Sequence, residues 1–136
     1  MTHPIIALQQ ALLAALFADA ELIAALGGAY VFDAPPSGRG PPYAAITRHD
    51  VLSRDTDGAP GHDHRLLIQC WHPEPSRKAV LAIAERVVAV ALAADLGGAD
   101  LIVTHMQHDR TDTAIDLKTG YARAAIALRV FSEPVG

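Results

Sequence analysis

The chain has one cysteine in 136 residues, Cys70, so it cannot close an intramolecular disulfide, and nothing in it points to an oxidising compartment. Aromatic residues are scarce, at 5%, which leaves Leu, Ile, Val and Ala to build the core. Basic residues are also few: 11 Lys and Arg stand against 15 Asp and Glu, a net charge of −4 with histidines neutral. Without a basic excess there is little to displace counterions from phosphates, which argues against a general nucleic-acid binder. No apolar run reaches the roughly 18 to 20 residues of a membrane span. The N-terminal "MTHPIIALQQALLAALFADAELIAALGG" comes nearest. Gln9, Gln10, Asp19 and Glu21 interrupt it, and it lacks the positive leader of a signal peptide. These absences lead to the expectation of a cytoplasmic protein with no membrane association.

Motifs for common chemistries are missing as well. There is no G-x-S-x-G elbow, no G-x-x-x-x-G-K-[ST] phosphate loop and no G-x-G-x-x-G. "GRG" at 38 to 40 sits among prolines with no helix start behind it. Acid pairs such as Asp55 with Asp57, or Asp109 with Asp112, fall where hairpin ends are expected, as solvated charge does. No catalytic constellation emerges and no cofactor is implied.

What is present is half apolar and only 19% charged, the balance of a globular domain, and the whole of 1–136 reads as one domain. Pro4 suits a first helical turn, and Ile5, Leu8, Leu12 and Leu16 form one stripe. Asp19 caps a second short helix ending at Gly27-Gly28. "YVFD" reads as a strand, and "APPSGRGPP", residues 34–42, as an irregular loop. Strands follow at 43–55 and through "HDHRLLIQCW", joined around Gly58 by a hairpin whose tip is expected to project. A long helix opens on Ser76, carries Val80, Ile83, Val87 and Val90 on one stripe, and is expected to stop at Gly97-Gly98. Its other faces are mostly alanine, which suits contact with a second surface. Strands at 101–111 and 121–133 complete the chain, with 112–120 as a further hairpin tip. The fold class is therefore α+β: an antiparallel sheet packed by an N-terminal helical segment and one long central helix, in the order α(α)-β-β-β-α-β-β.

Three histidines and the cysteine crowd into residues 61–79. On a strand, His62, His64, Leu66, Ile68, Cys70 and His72 share one face. His64 and Cys70 then lie about 20 Å apart, too far for one ion held at about 2.0 to 2.3 Å. His62 and His64 alone supply two ligands and need a third. His49 is expected several residues away along the partner strand, and His64 opposite Leu52 and Ser53. The reading preferred is a sheet strand with His62 and His64 near its tip, in contact with solvent or a neighbouring subunit. Asp63 and Arg65 read as a solvent-facing edge.

Taken in order, the leucine-striped N-terminal helix with "DAELIAALGG", the segment "YVFDAPPSGRGPPYAAI", and "HRLLIQCWHPEPSRKAVLAIAERVVAVAL" followed by "LIVTHMQHDR" and "GYARAAIALRVFSE" resemble the tail-completion, or tail-terminator, family of long-tailed phages and gene transfer agents. The resemblance covers essentially the whole chain. It implies a structural protein, not an enzyme, forming a hexameric ring that caps the tail tube, ends tube polymerisation and joins the tail to the head-side connector. The implied partners are further copies of the chain, the tail tube protein and the connector or stopper, with DNA passing through the lumen unbound. It implies assembly in the cytoplasm and then residence in the tail or neck of the particle. Arg39, Pro42, Tyr43, Asp57, His62, Asp116 and Lys118, on the loops and tips, are the expected subunit or partner contacts. The competing readings are another neck component, such as a head-closure protein, a metal-binding module on His62 and His64, and a small-molecule-binding domain.

Overall fold

A proline at the first helical position forfeits no hydrogen bond, and His3 caps the turn by accepting from the Ile5 amide at 3.1 Å. In this computed structural model, which describes residues 2–55, 58–98 and 100–135, that pair starts α1 (Pro4–Phe17). The expected stripe is its buried side: Leu8, Leu12 and Leu16 are fully enclosed. Asp19 then caps α2 (Ala20–Leu26), accepting from the Leu22 amide at 3.0 Å, and Gly27 ends it at φ 75°, a left-handed conformation that glycine adopts without strain. No single described helix is long and apolar enough to cross a membrane. α1 and α2 reach that length only together, across an 81° bend, and their leucines pack into the core.

The strands are β1 (Val31–Phe32), β2 (Tyr43–Ser53), β3 (His62–His72), β4 (Leu101–Ile115) and β5 (Ala122–Pro134), with α3 (Arg77–Ala93) between β3 and β4. They form one five-stranded sheet in the order β1-β2-β3-β5-β4. The element order is the expected one. All pairings are antiparallel except β1 with β2, which run parallel, so the sheet is mixed at one edge. Residues 33–42 carry the chain back so that β2 begins alongside β1.

Two boundaries differ from the periodicity. α3 opens on Ser76, whose hydroxyl accepts from the Ala79 amide at 3.1 Å, but it ends at Ala93, short of Gly97-Gly98. Ala94 turns to an extended ψ of 146°, and Leu96 drops back into the core. β4 runs on to Ile115 because Asp112 to Ile115 keep pairing with β5, so its hairpin tip shrinks to residues 116–120.

All three helices lie on one face of the sheet. α3 packs across β3, β4 and β5, while α1 reaches β1, β2 and β4, and α2 leans on α3. Asp19 also receives Arg86 of α3 through two hydrogen bonds of 2.7 and 2.8 Å, and this contact holds its carboxyl below the usual range. One hydrophobic cluster draws on every helix and strand. In β3 and β5 the even positions face it: Leu66, Ile68, Cys70, Ala124, Ile126, Leu128 and Val130 are all buried. Among the described residues no element covers the opposite face of the sheet.

Alternation is interrupted where a strand bulges, because one extra residue swaps the faces of everything after it. β2 bulges at Thr47: Ala44 and Ile46 point to the core before it, and His49 and Val51 after it. β4 has two such shifts, between Val103 and His105 and between His108 and Arg110.

The enclosure of α1's stripe predicts a sharp contrast between neighbours. Leu12→Ala is expected to lower unfolding free energy by about 2 to 5 kcal/mol, and Ile6→Ala, on the exposed side, by under about 0.5 kcal/mol. Urea denaturation followed by circular dichroism measures both, and comparable losses would contradict the packing described.

Candidate functional site

The two histidines singled out in β3 have different surroundings, and His64 is the one the sequence places wrongly. It is fully buried and touches neither solvent nor any surface a second subunit can reach. It shares the even, core-facing alternation of β3 with Leu66, Ile68 and Cys70, and the Thr47 bulge in β2 sets what stands opposite it. His64 pairs with Val51, not with Leu52 and Ser53, and the parity change turns His49 to the same inner face, diagonal to His64. His49 is therefore not remote: its Nε2 lies 2.8 Å from His64 Nδ1.

The pair sits inside a chain of hydrogen bonds with one consistent direction. Gln9 Nε2 is a donor and lies 3.1 Å from His49 Nδ1, which must accept. His49 Nε2–H then donates to His64 Nδ1, and His64 Nε2–H donates to Ser132 Oγ at 2.7 Å. Both imidazoles are thus assigned as neutral ε-tautomers, and the chain links α1, β2, β3 and β5. Burial pushes His49 down to about 4, against pulls from Asp50 and Asp33, and His3 adds to the depression. His64 is likewise held at about 4, by burial first and then by His49, His62 and His3, with Asp63 opposing.

This arrangement uses up the nitrogens a metal needs. His64 commits both to protein partners, and His62 stands edge-on with its ring centroid 6.2 Å away. Among the described residues no group of three or more His, Cys, Asp or Glu side chains is placed to hold a metal ion. His105 and His108 lie on β4, which β5 separates from β3. Cys70 is fully enclosed, and burial pushes its thiol up to about 12, so it is neither ligand nor nucleophile.

Asp63, expected at a solvent-facing edge, is also buried. It points to the uncovered face, where Arg129 holds its carboxylate at 2.9 and 3.2 Å and Arg65 at 3.1 and 3.2 Å. Arg129 first and then Arg65 hold that carboxyl far below the usual range, and Arg129 is raised in turn. Arg54 and Arg129 both lie over the Phe131 ring, at 3.9 and 4.9 Å from its centroid. Arg65 alone was legible as a partner, being two residues away. Gln9, Ser132 and Arg129 were not, although Gln9 and Ser132 carry a signal: each is a polar residue among buried apolar ones.

The structure divides the expected contact residues between the two ends of the sheet. At one end are Arg39, Pro42 and Tyr43, together with Asp116 and Lys118. Arg39 lies 3.6 Å over the Tyr30 ring with its Nε enclosed and unpartnered, and Pro42 follows a cis bond from Pro41. Tyr43 stacks on Trp71 at 4.8 Å and meets Phe32 edge-on at 6.1 Å. Beyond Trp71, a hollow of about 310 Å³ is lined by Ile115, Tyr121 and Arg123 among others. Asp116 holds the tip in shape, its Oδ1 accepting from the amides of Lys118 at 2.8 Å and Thr119 at 3.3 Å. His62 is at the other end, half-buried, as the first residue of β3. There the Arg54 amide donates to the Gly61 carbonyl at 2.8 Å, and a Cβ on Gly61 would stand 2.7 Å from the Arg54 oxygen. The paired strands thus run on to Arg54 and Gly61, at the base of this hairpin. Asp57 lies outside the described residues.

The neutral histidine pair sets a pH dependence. In the unfolded chain each imidazole takes a proton near pH 6.5; in the folded chain it does so only near pH 4. The unfolded state therefore binds more protons in between, and stability present above pH 6.5 is expected to fall as pH drops toward 4. Urea midpoints at pH 7.5, 5.5 and 4.5 should decline in that order, and the decline should shrink in His49→Gln/His64→Gln. A midpoint constant across this range would contradict the buried neutral pair.

With this geometry established, comparison with known proteins adds the family. No curated protein matches the chain. A solved structure described as "Virion of native gene transfer agent (GTA) particle" contains a chain of the same fold, with a TM-score of 0.85 and 25% identity, covering 97% of this chain and 99% of that one. The family described as tail completion protein gp17 matches residues 10–133. The chain belongs to the tail completion protein gp17 family.

Proposed function

We propose that this protein forms a ring on the end of a tail tube, where it stops tube polymerisation and joins the tail to the head-side connector of a phage or gene-transfer-agent particle. The observation that carries the reading is the near-complete, mutual coverage with a chain of a gene transfer agent virion, alongside the family match over residues 10–133. It is a structural role, performed by residues 1–136 as one domain, with a hexamer as the expected ring, cytoplasmic assembly and final residence in the tail or neck.

The distribution of contact residues supports it. A terminator meets two different partners along the tube axis, and the expected contacts fall at opposite ends of one sheet. Arg39, Pro42 and Tyr43 occupy one end with the aromatic row, and His62 the other, with Asp57 in the same tip by sequence. Phe32, Tyr43, Trp71 and Arg123 are of the types that dominate protein interfaces, and they gather at one corner in a chain poor in aromatics.

Two measurements test the proposal. Particles made without the protein are expected to carry tails of aberrant length and to lose infection or gene transfer. Imaging of complete particles should show a closed ring of this chain between tube and connector. A protein found on the capsid side of the connector would make it a head-closure component instead. A monomer that never joins tail or neck would exclude both.

A further inference from the structure

The hairpin joining β4 to β5 presents a leucine to solvent on a rigid mount. Leu117 is 97% exposed, the most exposed large apolar side chain described. The mount is held from several sides: Asp116 Oδ1 accepts from two tip amides, the Gly120 amide donates to the Asp116 carbonyl at 2.7 Å, and the Asp116 amide donates to the Tyr121 carbonyl at 2.9 Å. Gly120 adopts the left-handed φ of 76° that closes the turn. An apolar side chain held this way loses little conformational freedom on docking.

The same molecule carries a groove that suits it. Between α3 and β4 runs a depression of about 410 Å³ lined by Leu81, Ala84, Val88 and Ala89, with Glu85 as its acidic residue. On the β4 side His108 and Thr111 bond to one another at 2.7 Å. Glu85 is exposed and has no ion pair among the described residues, and the same holds for Lys118, which follows Leu117. Knob and groove therefore match in both respects: leucine to an apolar floor, and a free lysine to a free glutamate.

A copy cannot fill its own groove. Leu117 lies beyond the end of the strand that carries Thr111, about 20 Å further along at the rise of an extended chain. Contact between a tip on one copy and a groove elsewhere on the next is head-to-tail, the kind that closes into a ring where the rotation between copies completes a circle. The geometry points to docking of the residue 116–120 tip of one copy into the α3–β4 groove of the next, with Leu117 on Leu81, Ala84 and Val88 and Lys118 beside Glu85. This rests on the ring reading and supplies one contact that would build the ring.

Cysteines placed at Leu117 and Ala89 test it in assembled particles, since the native Cys70 is enclosed and does not compete. In Leu117→Cys/Ala89→Cys particles, a short bis-maleimide is expected to give a ladder of linked copies of this chain on denaturing gels, and neither single variant should give one. Sedimentation of the purified protein with tail tubes supplies a second readout. Lys118→Glu or Glu85→Lys alone should weaken ring formation by about tenfold, and the two reversals together should restore it. A ring visible in particles without cross-linked copies, links from Leu117→Cys to a different protein, or no rescue by the double reversal would each overturn the docking and leave the ring intact. Absence of any ring of wild-type protein would overturn the ring reading itself.

Discussion

One-sided burial of the sheet is the constraint on which the rest depends. α1 and α3 cover a single face, so every strand residue is either enclosed with leucines and alanines or left facing outward. The enclosed side is almost purely aliphatic, as a chain with few aromatics requires, and alanines at 44, 84, 91, 122 and 124 let helix and sheet approach closely. Aromatics are thereby released for the outer face and its corner, where Tyr43 stacks on Trp71 and Phe131 lies under Arg54 and Arg129. A core without aromatics and a surface with them have one cause.

The polar groups follow the same division. Burying a polar side chain is costly unless it is hydrogen-bonded, and the enclosed histidines meet that cost by staying neutral and aligning donor to acceptor from Gln9 to Ser132. The chain runs across three strands and into α1 near one end of the sheet, so it ties the helical layer to the strands where the apolar packing thins. On the outer face the solution is ionic: Asp63 remains charged because two guanidinium groups grip it. The two devices sit on adjacent residues, 63 and 64, one on each face, which is the pleat of a strand expressed as chemistry.

The surfaces left after folding are small and separate: an aromatic corner, a rigid leucine-bearing tip, a groove beside α3 and an opposite end marked by His62. If these are the contacts, their spread over both ends and one side of a sheet suits a subunit held by several neighbours at once.

Local chemistry in the sequence determined the elements. The His3-Pro4 start, the caps at Asp19 and Ser76, the stop at Gly27 and the alternation in β3 and β5 depend on residues within a few positions of one another, so the helices, the strands and the buried stripes were legible. The resemblance that led to the family rests on the same ordered grammar. The sheet order, the parallel β1, the ends of α3 and β4, and the partners of His64 and Asp63 were decided only in three dimensions. Three bulges, each a single extra residue, reset which face their strands present, and no local pattern marks them. Thr47 is the clearest case: it turns His49 inward to meet His64, because in a strand the facing of a side chain depends on a count of residues that only the pairing partner fixes.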